Sequence, residues 1–420
     1  MRKFGPLVLK MLLSLALLIV FLEAALRIEP GVIPLALLVQ FQEDLRQEIA
    51  LRVRLPVVGV TVLIDRDDNG PPLRKYWPSA VVDLQFDPED HVDVTSVQMD
   101  KNGFCNPPAA AERQYVDVVM IGDSFTTCIG IHPEDSWWAR FSEISGRSTY
   151  GAGIGGTGPY EALQALKQFG LSTSPGTVVL NIYAGNDFHN ALGVHEYRRT
   201  LASRGGRTDL VYDCLALPSF ACTLYRGVKE GVVGRNSYVF GLASTFTRES
   251  IVWARSLVRG SDRKQKMSYR YRVHVGDRDI LFNRGNSDVS DLDRARSVKD
   301  GIVSLDEGFG EALKTFTALA RQHHCRPVVA LTPAAYDVYR ERVRFEDPVS
   351  ADLIYWFTQE ERQYFSDKAN ELGYRFVDFT PALQKASAGE DLLYFSVNGH
   401  YSRAGHAVVA QALLEGLSPE

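Results

Sequence analysis

A chain of 420 residues that is 45% apolar, 23% charged and 10% aromatic has the make-up of a globular protein, which excludes long disorder. The formal charge of -5 is small for this size, and the basic pairs Arg198-Arg199 and Arg263-Lys264 are short and scattered. No nucleic-acid partner is expected from such a surface.

The N-terminus comes first. Arg2 and Lys3 precede Met11 to Leu22, an uncharged run with only Ser14 as a polar interruption. Residues 7 to 26 are mostly apolar, broken by Lys10 and Glu23, and come close to the ~20 residues that span a bilayer. Positive residues before the run and mixed charge after it predict a cytoplasmic N-terminus with the body exported, facing the periplasm or the cell exterior. A cleaved signal peptide is the rival reading. Leu22-Glu23-Ala24-Ala25 is a poor small-x-small site, which favours an uncleaved transmembrane anchor over residues 1–28.

Residues 29–110 read as a juxtamembrane and strand-bearing lead-in. Val32 to Phe41 is apolar, and Gln42 to Arg54 is charged with helical spacing. Short β-prone runs follow, Val57 to Ile64, Ala80 to Phe86 and His91 to Gln98, separated by turn-rich stretches such as Asp67-Asp68-Asn69-Gly70-Pro71-Pro72.

From Tyr115 the rhythm becomes strand, helix, strand. Strands are predicted over Val116 to Ile121, Arg147 to Ala152, Thr177 to Tyr183, Pro327 to Leu331 and Arg375 to Phe379. Helices are predicted over Ser136 to Ser145, Tyr160 to Phe169, Gly308 to His323, Thr358 to Leu372 and Arg403 to Leu417. This alternation predicts a mostly parallel sheet with helices on both faces, an α/β domain over residues 111–420. An insertion at about 190–304, rich in Arg, Asp, Ser and Gly and without a sustained period, interrupts it; a lid and a docking surface both remain open for it.

Five cysteines fit export. Cys214 and Cys222 enclose a short Pro-containing loop and form one candidate pair; Cys105 and Cys128 form another, with Cys325 then left as a buried thiol. No Cys/His spacing resembles a zinc site, and the adjacent His323-His324 pair would point in different directions on a helix.

Four elements carry chemistry. Gly122-Asp123-Ser124-Phe125 follows the first strand, where a glycine lets the chain turn sharply and a serine hydroxyl stands at the sheet rim. The run from Gly151 to Gly158 follows the second. Gly185-Asn186-Asp187 follows another strand, and Asn398-Gly399-His400 leads through Tyr401 to His406 into the last helix. Parallel strands point their carboxyl ends one way, so the first three converge on one rim and the fourth can reach it.

In that order the blocks resemble the SGNH (GDSL-type) hydrolase superfamily. The resemblance runs from about Asp100 to Leu417 outside the insertion and is strongest in Ile121 to Gly130 and Leu180 to Asp187. It points toward bacterial membrane-anchored or exported members, which carry an N-terminal apolar helix and a stretch like Asp100-Lys101-Asn102-Gly103-Phe104. It implies a three-layer α/β/α sandwich and a serine esterase. Ser124 would be the nucleophile and His400 the base that takes its proton and later returns it to the leaving alcohol. The oxyanion would be met by the backbone N–H groups of Ser124 and Gly156 and by the Asn186 side-chain amide. Gly155 and Gly158 are assigned to turn geometry, His406 to the first turn of the last helix, and His189 and His195 to the surface. No metal or organic cofactor is implied.

One position departs from the family. An aspartate ordinarily precedes the histidine and orients it; Asn398 stands there, able to accept from an imidazole N–H but without charge, and Asp391 is a candidate substitute. The expected substrate is a small-molecule or polysaccharide ester, such as an O-acetyl group at the cell envelope. Three alternatives accompany it: an O-acyltransferase using the same residues, a catalytically degraded binding protein, and a membrane-anchored structural or assembly factor in which Gly-Asp-Ser is incidental.

Overall fold

The computed structural model describes residues 4–33, 45, 49, 57–58, 61–63, 73–76, 78–83, 96–203, 236–242, 271–282, 292–346 and 349–418. Cys214, Cys222, the turn expected at 67–72 and most of the helical spacing expected over 42–54 lie outside these residues. The chain divides into two compact units, Met1–Val58 with Gly206–Lys266, and Gly59–Gly205 with Met267–Glu420.

In the first unit a 25-residue helix, α1 (Phe4–Ile28), leaves Met11, Leu13, Leu15, Leu17 and Phe21 exposed. Near its end the Glu23 carboxylate accepts hydrogen bonds from the backbone N–H groups of Tyr238 and Val239 and from the Ser237 hydroxyl, capping the helical turn at 238–242. Ile33, Leu45, Ile49 and Tyr238 form a small apolar cluster beside it. Among the described residues no helix is long and apolar enough to cross a membrane. The side chains of residues 4–9 and 12, which belong to the span expected over residues 7 to 26, lie outside the described ones.

The second unit is built on five parallel strands, β1 (Val118–Gly122), β2 (Thr149–Gly153), β3 (Thr177–Tyr183), β4 (Arg326–Thr332) and β5 (Arg375–Asp378). Their spatial order is β5-β4-β3-β1-β2, so the chain reverses its direction of travel between β1 and β3. In open sheets of this kind the crevice outside the carboxyl ends at such a reversal is where ligands bind.

The central strands β1, β3 and β4 are nearly continuous apolar runs because both faces are covered. Val118, Met120, Val179, Val328 and Ala330 pack on one side with α2 (Trp137–Ser145) and α7 (Arg403–Leu417). Their neighbours Val119, Ile121, Leu180, Ile182, Val329 and Leu331 pack on the other. There they meet α3 (Pro159–Ala165), α4 (Asp187–Ser203), α5 (Leu305–Gln322) and α6 (Val349–Leu372). The period-two switch of faces is what makes three layers. Helix ends are set locally: Ser136 caps α2, Gly146 stops it in the left-handed region, and Ser304 with Glu307 forms a capping box on α5.

The lead-in joins this core. Leu73 packs in one apolar layer, and Tyr76, Val82, Val97 and Met99 pack in the other. Asp100 is buried at a fully occupied polar knot, accepting from Asn102 N, Phe104 N, Asn106 Nδ2 and Tyr150 Oη at 2.8 to 3.0 Å. Asn106 in turn clasps the backbone of Gly151 in β2. Of the two candidate cysteine pairs, Cys105–Cys128 is formed, and Cys325 is a buried free thiol.

Within the stretch at 190–304, four described parts have regular structure. Residues 190–203 lie inside α4, 238–242 form the helical turn of the first unit, a hairpin pairs Tyr271–Val275 with Arg278–Phe282, and Leu292–Lys299 is helical. Val343–Phe345 adds a third antiparallel strand to the hairpin.

Candidate active site

The serine turn is built where β1 ends. Gly122 closes the strand, and the Asp123 carboxylate accepts the Phe125 N–H at 2.9 Å, capping a single tight turn over Ser124–Thr126. Below it, Asn181 of β3 donates to Thr126 Oγ1 and accepts from Thr332 Oγ1 of β4 at 2.8 Å. A polar tie thus runs from β4 through β3 to the turn that carries Ser124. The Cys105–Cys128 bridge anchors the chain four residues past Ser124.

His400 comes from the loop ahead of α7. That loop is closed by Phe395 N to His400 O at 2.8 Å, by Gly399 N to Phe395 O at 3.0 Å and by a bridge between Tyr394 and Tyr401. His400 Nε2 lies 2.8 Å from Ser124 Oγ. Asn398 Oδ1 lies 3.2 Å from His400 Nδ1 and accepts the backbone N–H of His400 at 2.9 Å. The backbone donor identifies that atom as the amide oxygen, so Nδ1 carries the ring proton and Nε2 presents its lone pair to the serine hydroxyl. Asp391 is exposed.

The surroundings set the protonation states. Desolvation lowers the His400 imidazolium pKa to about 4, and the ring is neutral at pH 7 and able to take a proton. The Phe125 ring lies against it, with centroids 4.9 Å apart and planes 31° apart. Asp123 is buried, which raises its carboxyl to about 7; its Oδ2 lies 3.3 Å from Ser124 Oγ. His406 is buried, with Nδ1 accepting the Trp137 N–H at 3.1 Å, and its pKa is lowered by burial to about 3. It is a neutral core histidine that joins α7 to the start of α2.

The other two expected residues sit at neighbouring strand ends. Gly156 follows β2 with a φ of +71°, a left-handed turn that glycine adopts without strain. Asn186 follows β3, its amide oxygen buried without a hydrogen-bond partner. His195 Nε2 lies 3.0 Å from Tyr160 Oη, and His189 Nδ1 accepts from Arg294 at 3.4 Å. Ser124, His400 and Asn398 are joined by hydrogen bonds; Gly156 and Asn186 stand on the same rim by topology.

Two residues beside the site are not among the expected site residues. Asp123 lies within the Gly-Asp-Ser block, where a carboxylate next to a strand-end serine signals a cap. Tyr76 lies in the lead-in, and no spacing marks it. Yet a Cβ built on Gly155 would stand 3.2 Å from Tyr76 Oη and 3.9 Å from Ser124 Cβ. Gly155 is therefore a close-approach position beside Ser124.

No family model matches the chain, and no curated protein matches it. Among solved structures it is similar to a protein assigned to the G-D-S-L lipolytic family from Desulfitobacterium hafniense, at 15% identity and a TM-score of 0.34 over 71% of this chain and 98% of that one. It is similar to TesA at 11% identity and a TM-score of 0.32, over 72% of this chain and 98% of that one. A GDSL-like lipase from Bacteroides thetaiotaomicron matches at 14% identity and a TM-score of 0.30, over 73% of this chain and 91% of that one.

Proposed function

We propose that the chain is an SGNH-type serine esterase, tethered by α1 and acting on acyl esters at the cell envelope. The observation that carries this reading is the 2.8 Å approach of His400 Nε2 to Ser124 Oγ, with the far ring nitrogen held by Asn398. A hydroxyl becomes a competent nucleophile when a neutral base is in hydrogen-bond reach.

Ser124 Oγ attacks the ester carbonyl carbon while its proton moves to His400 Nε2. The carbonyl oxygen becomes an oxyanion met by the Ser124 N–H, the Gly156 N–H and the Asn186 amide, each worth ~2.7–4 kcal/mol of transition-state stabilisation. The tetrahedral species collapses, and His400 passes its proton to the leaving alcohol. Water, activated by the same histidine, then releases the acid from Ser124. An acceptor sugar hydroxyl in place of water would make the chain an acyltransferase.

The tether and the envelope setting are supported by the exposed apolar side chains of α1 and by the Cys105–Cys128 disulfide, a bond that persists in oxidising compartments. An O-acetylated polysaccharide is the substrate that such a placement favours.

The test is fluorophosphonate labelling of the full chain in detergent, with the modified peptide mapped by mass spectrometry. Labelling confined to Ser124 and lost in Ser124→Ala is the expected result. Folded protein that takes up no label would overturn the esterase reading and leave a binding role.

A further inference from the structure

Tyr76 enters the site from outside the four blocks that define it. Its short strand, Arg74–Tyr76, alternates in direction. Lys75 turns one way, donating to Asn102 O at 2.6 Å and lying 4.7 Å from the Phe169 ring centre. Tyr76 turns the other way, into the apolar cluster that also holds Phe125. The lysine contact fixes the strand, and the strand fixes the tyrosine.

The Tyr76 hydroxyl and Ser124 both lie beside Gly155. A Cβ on Gly155 would lie 3.2 Å from Tyr76 Oη, tighter than ordinary van der Waals contact, and 3.9 Å from Ser124 Cβ. Burial pushes the Tyr76 phenol up to about 12, so it keeps its proton and remains a donor at any working pH. A phenol held this way finds a hydrogen-bond partner, and the group that comes to Ser124 is an ester with two oxygens.

We propose that Tyr76 Oη donates a hydrogen bond to an oxygen of the ester bound at Ser124, a substrate contact supplied by the lead-in across the gap at Gly155. The proposal rests on Ser124 being the nucleophile.

The experiment uses the full chain in detergent with two readouts, hydrolysis of p-nitrophenyl acetate and the rate of fluorophosphonate labelling. Tyr76→Phe keeps the ring and removes the hydroxyl. Both rates are expected to fall about tenfold, the scale of one neutral hydrogen bond, while the melting temperature and the final labelling stoichiometry stay unchanged. Rates within twofold of wild type overturn the proposal. A wild-type chain that takes no label at Ser124 sinks the esterase reading instead, and so the two failures are distinct. Gly155→Ala supplies the second arm: its Cβ crowds the hydroxyl and slows the wild type, whereas in the Tyr76→Phe background it adds no further loss. Independent, multiplying effects of the two substitutions would place Tyr76 away from the gap and overturn the assignment.

Discussion

Asn398 offers one amide oxygen to two N–H groups of His400, the backbone N–H at 2.9 Å and the ring Nδ1 at 3.2 Å. It therefore fixes the tautomer and the ring's direction as an aspartate would, but it places no charge beside the imidazolium that the proposed mechanism forms. Orientation and electrostatic support, usually supplied by one carboxylate, are separated in this chain.

Asn398→Asp should restore the missing charge. An opposite charge in contact raises the His400 pKa from its low value of about 4 and strengthens it as a base. Turnover at pH 7 should rise at least about tenfold, a modest part of the ~10⁴-fold that separates aspartate from asparagine in serine proteases. The acid limb of the pH–kcat/KM profile should move upward in the same variant. Asn398→Ala should lower turnover with no such movement. A profile of Asn398→Asp that overlays wild type would remove Asn398 from the site.

Acid stability carries a second signature. His400 and His406 are held by burial at about 4 and about 3, below the ordinary 6.5, whereas Asp123 is raised from 3.8 to about 7. As pH falls below about 6.5 the unfolded chain protonates both histidines and the folded chain resists, which costs stability. Asp123 acts with the opposite sign: between about pH 4 and 7 the folded carboxyl keeps a proton that the unfolded chain releases. Near pH 5 two histidines therefore oppose one carboxyl. Asp123→Asn removes the opposing group, and the slope of unfolding free energy against pH should steepen by about 1.4 kcal/mol per pH unit. Urea unfolding between pH 4.5 and 6 measures it. Equal slopes in the two proteins would mean that Asp123 is ionised throughout this range.

The elements that build the rim were legible because each joins a clean apolar period to a turn signal. Thr177 to Tyr183 and Arg403 to Leu417 have the bounds expected of them, and Val118–Gly122 lies two residues inside and one beyond its expected span. Where polar residues dilute the period, the reading failed. The hairpin of Tyr271–Val275 and Arg278–Phe282 buries Tyr271, Val273 and Val275 and turns at Gly276-Asp277, with Gly276 at a φ of +60°. That glycine–aspartate pair is a hairpin signal, masked by the exposed charged residues Arg272, His274, Arg278 and Asp279. The helix expected over Tyr160 to Phe169 ends at Ala165 and gives way to a wider turn over Leu166–Gly170, a change that no residue type announces. Contacts made by folding alone were invisible. Tyr76 comes beside Gly155 across 79 positions, and Asp100 meets Tyr150 across 50.

Phe125 tests how the site keeps its base dry. Its ring lies against His400, 4.0 Å from the Tyr183 ring centre and 4.9 Å from that of Tyr401, and its carbonyl accepts Trp137 Nε1 at 2.9 Å. The aromatic packing excludes water from one face of the imidazole, and exclusion of water is the largest cause of the low His400 pKa. Phe125→Ala would cost about 3–5 kcal/mol and risks the fold, whereas Phe125→Leu keeps most of the apolar volume. In Phe125→Leu the ring becomes better hydrated, and the His400 pKa should climb from about 4 toward 6.5. The acid limb of the pH–kcat profile should shift upward with it. At pH 5 the variant should then lose most of its activity through protonation of the base, while at pH 8 the loss should be only a few-fold, from looser alignment with Ser124. An acid limb that stays near pH 4 would show that hydration of His400 is controlled by groups other than Phe125.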